Sequence, residues 1–372
     1  MTASLNSLLQ HLVERGGSDL HLRAGSPPLF RVHGDIVRVG STPLSRSETS
    51  AIITELLDPR QVTRLQTEKE LDISYRAPNL GRFRVNIYRE RGWISAALRL
   101  VPEQVKSIDQ LGLPPILKQL ASLPRGLVLL TGPTGCGKST TLAAIVDHIN
   151  EQRSVHVMTI EDPIEFCHQS RRASISQREV GSDTHGFPEA LRHVVRQSPD
   201  IILVGEMRDP ETIQTTITAA ELGHLVLTTL HTCDAAQAVD RMVDCFEHER
   251  QAQVRTQLSL TLQAVIYQTL VKRCDKEGRV AAFEILIFTP AARNLVREGK
   301  TEQLHGLIET GGEYGMQMLD AQLLDLCKQG IITYDAAMAK SLTPRDFQAR
   351  ATAVIGARPE SSSDGTAHRS GS

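Results

Sequence analysis

Gly126-Leu-Val-Leu-Leu-Thr-Gly-Pro-Thr-Gly-Cys-Gly-Lys-Ser-Thr-Thr141 is the stretch that decides the fold of this chain. The apolar run at residues 127–130 predicts a buried strand, and residues 140–150, which contain neither Gly nor Pro, predict a helix. Between them, Gly132, Gly137, Lys138 and Ser139 occupy every fixed position of the G-x-x-x-x-G-K-[ST] phosphate loop. Strand, glycine loop and helix together predict a site for a nucleoside triphosphate.

The chemistry of the loop assigns a role to each kind of residue in it. Glycines let backbone N–H groups converge on phosphate oxygens, and the helix N-terminus adds its partial positive charge. We expect Lys138 to reach the β- and γ-phosphates and the Ser139 hydroxyl to bind Mg²⁺. The same surroundings predict a reactive thiolate at Cys136. The residues expected to bind the nucleotide are Gly132, Pro133, Thr134, Gly135, Cys136, Gly137, Lys138, Ser139 and Thr140.

Composition places the chain among ordinary globular proteins. Its 372 residues suggest two domains, and a formal net charge of −2 argues against nucleic acid as a partner. The N-terminus lacks the pattern of a signal peptide, and no apolar run approaches the ~20 residues that span a bilayer. We therefore expect a cytoplasmic protein. The six cysteines include no C-x-x-C pair, which argues against a zinc knuckle.

The order of predicted elements suggests where the domains begin and end. Residues 1–105 combine helical and alternating segments, including a hairpin around His33, and predict a small α+β domain. A hinge region is expected from Val101-Pro102 to Pro114-Pro115, and residues 106–124 are assigned to a linker and the first helix of the next domain. The next domain is expected over residues 125–350. Strands and helices alternate in it to Thr229, which indicates a parallel sheet covered on both faces, and the pattern turns mainly helical after Leu230. A long helix is expected over residues 249–265, and the polar residues 351–372 predict a disordered tail.

Acidic residues follow two of the predicted strands. Asp200-Ile-Ile-Leu-Val-Gly-Glu206 is an apolar strand ending in an acid, the Walker B pattern, and we expect this strand beside that of the phosphate loop. A carboxylate there can hold Mg²⁺ or orient the attacking water. Glu161 and Asp162 follow another strand and are second candidates, because ligands bind at the carboxyl ends of parallel strands. The alternatives are that Glu206 caps the helix beginning near Pro210 and that Glu161 and Asp162 are solvated loop residues.

Two histidines bracket the strand that follows. His224 and His231 stand seven residues apart, which puts them on opposite faces of a strand and argues against one shared metal. The simpler interpretation is two hydrogen-bonded core histidines. Beside the Walker elements, either could sense the phosphate state of the nucleotide.

Four motifs together resemble the secretion ATPase superfamily and, within it, the PilT-type ATPases that retract type IV pili. They are the phosphate loop, the acidic segment at 159–166, the Walker B strand at 199–209 and the histidine segment at 223–232. In addition, Ala291-Ala-Arg-Asn-Leu-Val-Arg-Glu298 is similar to the retraction motif AIRNLIRE, and we name residues 291–298 the retraction segment. Cys136 stands where the family usually has Ser.

The resemblance implies a RecA-like P-loop ATPase domain preceded by a small PAS-like α+β domain. It implies a homohexamer with Mg-ATP between subunits, peripheral to the inner membrane, acting on a pilus platform protein and possibly beside a paralogous retraction ATPase. Glu206 and Glu161 would handle metal and water, with Ser139 and Asp162 as further metal ligands, and Arg82, Arg84 and Arg99 are candidates for contacts across the ring. Alternatives are an accessory retraction ATPase of the PilU kind and a RecA-like DNA translocase, which would need a basic DNA-binding surface.

Overall fold

The structure, a computed structural model, describes residues 4–32, 34–101 and 104–355. The predicted turn residue His33, the hinge residue Pro102 and the tail from Gly356 onward lie outside these residues. The strands are β1 (Gly17–Leu22), β2 (Leu29–Val32), β3 (Asp35–Arg38), β4 (Glu70–Ala77), β5 (Gly81–Glu90), β6 (Trp93–Val101), β7 (Gly126–Thr131), β8 (His156–Glu161), β9 (Ser174–Glu179), β10 (Ile201–Val204), β11 (Leu225–Leu230), β12 (Leu262–Lys272) and β13 (Arg279–Ile287).

The helices fall between these strands and after them. They are α1 (Leu5–Glu14), α2 (Arg46–Thr54), α3 (Pro59–Glu68), α4 (Ile116–Ala121), α5 (Lys138–Gln152), α6 (Phe187–Val194), α7 (Pro210–Glu221), α8 (Ala235–Asp244), α9 (His248–Thr261), α10 (Pro290–Glu298), α11 (Leu304–Thr310), α12 (Leu319–Lys328), α13 (Tyr334–Met338) and α14 (Pro344–Ile355). Because α14 continues to Ile355, residues 351–355 are helical, although the sequence places them in the tail.

The chain forms two compact units. One comprises Met1–Leu127 with Ser139–Thr229, and the other comprises Val128–Lys138 with Leu230–Ser372. The domain boundaries drawn from the sequence near residues 105 and 125 remain predictions, and so does the PAS-like character of the N-terminal part.

The N-terminal part of the first unit is an antiparallel sheet with the order β3-β2-β1-β6-β5-β4. Alternation along β5 buries Phe83, Val85 and Ile87 completely. These side chains pack with α1 and α2, whose inward faces include the fully buried Leu9 and Ile53. The period-2 pattern in the sequence therefore marks one buried and one more exposed sheet face, as expected for a half-covered antiparallel sheet.

Four parallel strands of the first unit run in the order β11-β10-β8-β9. The parallel α/β architecture expected from the sequence is confirmed, and every residue of β10 and β11 is buried. One expectation is wrong. The Walker B strand β10 has β8 on one side and β11 on the other, so it does not lie directly beside the strand of the phosphate loop.

In the second unit, β12 lies between β7 and β13 and pairs with β13 in antiparallel register from Ala264 to Lys272. The sequence pattern predicts a helix through Val265, but α9 ends at Thr261 and the chain continues as a strand. The helical prediction is wrong there because β12 is buried along almost its whole length. A strand that is apolar on both faces lacks the alternation that distinguishes it from a buried helix.

Glu179 is the last residue of β9. Within the first unit it links the N-terminal sheet to residues 162–166, the acidic loop that follows β8. Its carboxylate is 3% exposed and accepts hydrogen bonds from Ser74 Oγ at 2.8 Å and from an Arg82 guanidinium nitrogen at 2.6 Å. It also accepts the backbone N–H of Ile164 at 2.9 Å. Arg82, a candidate for contacts across the ring, is thus paired within its own chain.

Glu179→Ala is expected to lower the free energy of unfolding by about 2–4 kcal/mol, because it leaves a guanidinium and a buried N–H without their acceptor. Thermal denaturation measures this loss. The control is Glu68→Ala, which removes an exposed carboxylate bound to Arg64 at 3.0 Å on the same helix and should change the melting temperature far less. Equal shifts for both variants would contradict the linking role of Glu179.

Candidate nucleotide-binding site

The phosphate loop follows a fully buried strand, as the sequence predicts. All six residues of β7 are buried, and α5 begins at Lys138, directly after the glycines. The loop conformation requires glycine, since Gly132 has φ +139° and Gly137 has φ +93°. The end of β7 is also held, because the Thr131 and Thr232 hydroxyl oxygens lie 2.7 Å apart and the Thr232 N–H donates to Thr131 Oγ1 at 2.9 Å.

The Lys138 ammonium is fixed at this loop. Lys138 is 8% exposed, and its Nζ donates to the carbonyl oxygens of Gly132 at 2.7 Å and Pro133 at 3.1 Å. His231 Nδ1 lies 3.4 Å from the same Nζ. A desolvated cation beside a glycine loop and a helix N-terminus is an arrangement that binds phosphate. The residues present therefore fit a nucleoside triphosphate.

Gly132 leaves no room for a side chain. A Cβ atom at this position would overlap the backbone oxygen of Gln268 and lie 3.0 Å from Cys136 Sγ. At Gly135, by contrast, a Cβ would meet nothing within 4 Å, although its φ of +76° is also in the left-handed region. Gly132 is therefore required because a side chain would not fit, whereas Gly135 is favoured only by its backbone conformation.

Gly132→Ala is expected to abolish measurable nucleotide binding, because strand β12 cannot move without disturbing the sheet. Gly135→Ala should cost only backbone strain of about 1 kcal/mol, or roughly fivefold in affinity. Titration with a fluorescent ADP analogue compares the two variants. Equal affinities would contradict the proposed contact between the loop and β12.

The prediction of a reactive thiolate at Cys136 is wrong. The side chain is 3% exposed, and burial raises the pKa of its thiol although the nearby Lys138 ammonium opposes this. A buried, protonated thiol reacts slowly with thiol reagents. Cys136 is therefore a packing residue of the loop.

The three candidate acids come from the ends of neighbouring strands. β8 and β10 are parallel, with Ile160 opposite Val204, so Glu161 and Glu206 leave the sheet at the same edge. The strands are close there, since a Cβ on Gly205 would lie 3.3 Å from the Ile160 carbonyl oxygen. The structure thus brings together the acids of the first unit that the sequence analysis selected.

The surroundings of these acids differ. Glu161 accepts hydrogen bonds from Thr159 Oγ1 at 2.7 Å and from Gln177 Nε2 at 3.0 Å, and burial raises the pKa of its carboxyl. Glu206 instead pairs with the exposed Arg208 at 2.8 Å. Asp162 is exposed. Partial burial raises the pKa of the Asp162 carboxyl as well, although the Arg208 and Arg84 guanidinium groups oppose this. A carboxyl with a raised pKa is suited to accept a proton.

The histidines occupy opposite ends of β11. His224 precedes the strand, and its Nδ1 lies 2.9 Å from the Pro199 carbonyl oxygen, at the amino end of the parallel strands. His231 follows the strand and approaches Lys138. Of the two, His231 is in contact with the phosphate loop, whereas His224 has the contact of a hydrogen-bonded core histidine.

Arg99 and Arg84 are the other two candidates for ring contacts, and the charge of the Arg84 guanidinium opposes the rise that burial gives to the pKa of Asp162. Arg99 Nε donates to Asp19 Oδ1 at 2.7 Å within the N-terminal sheet, although its side chain is still 68% exposed. Arg84 is exposed on β5. Exposure of both guanidinium groups is compatible with a partner, so their ring contacts remain proposals.

A buried strand, a glycine loop, a lysine held at that loop and a helix starting there define a P-loop nucleotide-binding protein. The chain belongs to the family described as Type II/IV secretion system protein, which it matches over residues 1–334.

Within this family the chain is most informatively compared with pilus proteins. It is 48% identical over 343 residues to the type IV pilus retraction ATPase PilT of Pseudomonas aeruginosa, covering 92% of this chain and 99% of that protein. Identity to the type IV pilus ATPase PilU of the same organism is 40% over 341 residues, covering 92% and 89%. A crystal structure of the pilus retraction motor PilT with bound ADP superimposes with a TM-score of 0.87 at 40% identity, covering 93% of this chain and 99% of that one.

Proposed function

We propose that this chain hydrolyses Mg-ATP and uses the energy to retract type IV pili. The observation that carries the proposal is the lysine at the glycine loop, Lys138, with its ammonium bound to two loop carbonyls. The likeness to PilT, at 48% identity along nearly the whole of both chains, supports retraction as the work performed. Identity to PilU is lower, which favours the principal motor over an accessory one.

Each site residue has a proposed part in hydrolysis. Lys138 and the loop N–H groups bind the phosphates, and Ser139 with Glu206 or Asp162 holds Mg²⁺. Glu206 and Glu161 orient the attacking water, and His231, with His224 as a second candidate, senses the phosphate state. Mg²⁺ is usually bound by one or two protein ligands together with substrate phosphates and water. No group of three or more His, Cys, Asp or Glu side chains in the described ranges is arranged to hold a metal.

The same likeness suggests the setting of the motor. We propose a homohexamer at the cytoplasmic face of the inner membrane that acts on a pilus platform protein, with a paralogous retraction ATPase as a further partner. No helix in the part of the chain that the structure describes is both long and apolar enough to cross a bilayer.

Deleting the gene in its native host tests this function. Surface pili should persist or increase while twitching motility stops, and the wild-type gene should restore motility. Loss of surface pili would instead indicate an assembly ATPase. Unchanged motility would contradict the proposal. If deletion of the paralogue stopped motility in the same host, this chain would have an accessory role.

The retraction segment forms a helix, as the sequence predicts. The Thr289 side chain caps α10 by accepting the N–H of Ala292, and Ala292 and Val296 are fully buried. Arg293 donates to the carbonyl oxygens of Ser259 at 2.8 Å and Leu260 at 3.1 Å, at the end of α9. One face of the segment is therefore structural, because an arginine commonly satisfies the last carbonyls of a helix.

Arg293 and Arg297 lie one helical turn apart, and substituting each of them distinguishes a structural role of the retraction segment from a role in retraction. Arg293→Met is expected to destabilise the protein by about 1–3 kcal/mol, because it leaves helix carbonyls without donors. Arg297 is exposed on the same helix, and Arg297→Met should leave the melting temperature and ATPase rate unchanged while retraction events become rarer. Normal retraction with Arg297→Met would indicate that the segment is purely structural.

A further inference from the structure

Gln268 lies in the middle of β12, and its side chain contacts the phosphate loop. Its side chain is 2% exposed, and Nε2 donates to the Cys136 carbonyl oxygen at 2.7 Å. Cys136 belongs to the loop, so a residue 132 positions away in sequence holds one of its peptide groups. No motif in the sequence indicates this contact.

Gln268 also approaches two glycines of the loop, Gly132 and Gly137. A Cβ at Gly132 would overlap the Gln268 backbone oxygen, and a Cβ at Gly137 would lie 2.9 Å from Gln268 Nε2. The backbone of Gln268 therefore borders the first glycine of the loop and its side chain borders the last. At both positions this close approach adds to the positive φ, which already favours glycine.

The hydrogen bond between Gln268 and Cys136 also fixes the direction of the next N–H, that of Gly137, which matters for ligand binding. In a trans peptide the C=O and the following N–H point in opposite directions. When Gln268 holds the Cys136 carbonyl towards β12, the N–H of Gly137 points away from the strand. Without this bond the Cys136–Gly137 peptide could rotate, since glycine imposes little restriction, and present a carbonyl oxygen to the ligand.

We propose that Gln268 is a positioning residue, which holds the Cys136–Gly137 peptide with its N–H directed towards a bound phosphate. The proposal rests on the proposed nucleotide binding but is independent of pilus retraction. Gln268 itself does not need to touch the nucleotide, and its contribution is to keep the loop in the conformation that receives anions.

The test compares Gln268→Met with Gln322→Met. Methionine keeps the length of glutamine but donates no hydrogen bond. Gln322 is a matched control in the same unit, because its Oε1 accepts the Phe283 N–H and the Gln317 Nε2, both at 2.6 Å, and these partners lie outside the phosphate loop. Both variants lose side-chain hydrogen bonds, whereas the proposal requires that only Gln268→Met alters nucleotide affinity.

The probe is a fluorescent ADP analogue with Mg²⁺, titrated into wild type and both variants, with melting temperatures recorded without nucleotide. Gln268→Met is expected to bind roughly tenfold more weakly, with KM for ATP rising more than kcat falls. Gln268→Glu, which places an oxygen against the Cys136 carbonyl, should bind at least as weakly. Gln322→Met should retain wild-type affinity even where it lowers the melting temperature.

Two outcomes would overturn the inference: wild-type affinity for Gln268→Met, or affinity losses in both variants that follow their losses of stability. An absence of nucleotide binding by wild type would instead contradict the proposed function. The two failures are therefore distinguishable.

Discussion

Replacement of Lys138 with alanine is expected to abolish ATP hydrolysis, lowering the rate at least a hundredfold, while the protein remains folded. The ammonium is the cation that the structure holds at the phosphate loop, where it binds two loop carbonyls and approaches His231. Alanine removes the charge and leaves the backbone of the loop intact. Phosphate release by the purified protein and its circular dichroism measure the two parts of this prediction.

Lys118→Ala is the control for Lys138→Ala. Lys118 forms an exposed ion pair with Asp109 at 2.7 Å in the first unit, so its loss should change neither rate nor fold. A Lys138→Ala protein that hydrolyses ATP at the wild-type rate would show that the phosphate loop is not the site of hydrolysis.

Glu206→Gln is expected to reduce hydrolysis by about two orders of magnitude or more while nucleotide binding persists. Glutamine keeps the shape of the side chain but can neither accept a proton nor neutralise a metal ion. The same change at Glu161 should have a smaller effect, because Thr159 and Gln177 already bind that carboxylate. Single-turnover hydrolysis and binding of the fluorescent ADP analogue separate the two steps.

Glu55→Gln is the control, since Glu55 is an exposed acid at the C-terminal end of α2 and is not among the groups that act on Glu161. It should hydrolyse ATP normally. If Glu206→Gln turned over normally and Glu161→Gln did not, the water-activating role would belong to Glu161, whose raised pKa already suits a base.

Elements with strong local signals could be predicted from the sequence. Strand β7, the loop and α5 carry a motif whose residues all lie within one short stretch, and α10 has a threonine cap followed by proline. β10 is an apolar run bounded by acids. In each case the residues that form the element also determine it, so tertiary contacts are not needed for the prediction.

The wrong predictions involve contacts between distant residues. The sequence of β12 predicts a helix over its first residues, because burial on both faces removes the alternation typical of a strand. Two local influences predict a thiolate at Cys136, yet burial by the surrounding residues raises the pKa of its thiol. The neighbours of β10 depend on strand order, for which the local pattern gives no information.

The residues that sequence reasoning missed are joined across long separations. Glu179 reaches Arg82 over 97 positions, and Gln268 reaches Cys136 over 132. A single glutamine or glutamate in a strand carries no signal of its partner. Only the fold shows that these side chains support the acidic loop and the phosphate loop.

The retraction of single labelled pili tests most directly whether ATP hydrolysis by this chain powers retraction. Cells lacking the gene would be complemented with wild type, Lys138→Ala or Glu206→Gln at equal protein levels, and retraction events and speeds would be recorded by fluorescence microscopy. We predict that wild type restores retraction and that neither variant does. Retraction at wild-type frequency and speed in cells carrying Lys138→Ala would contradict this.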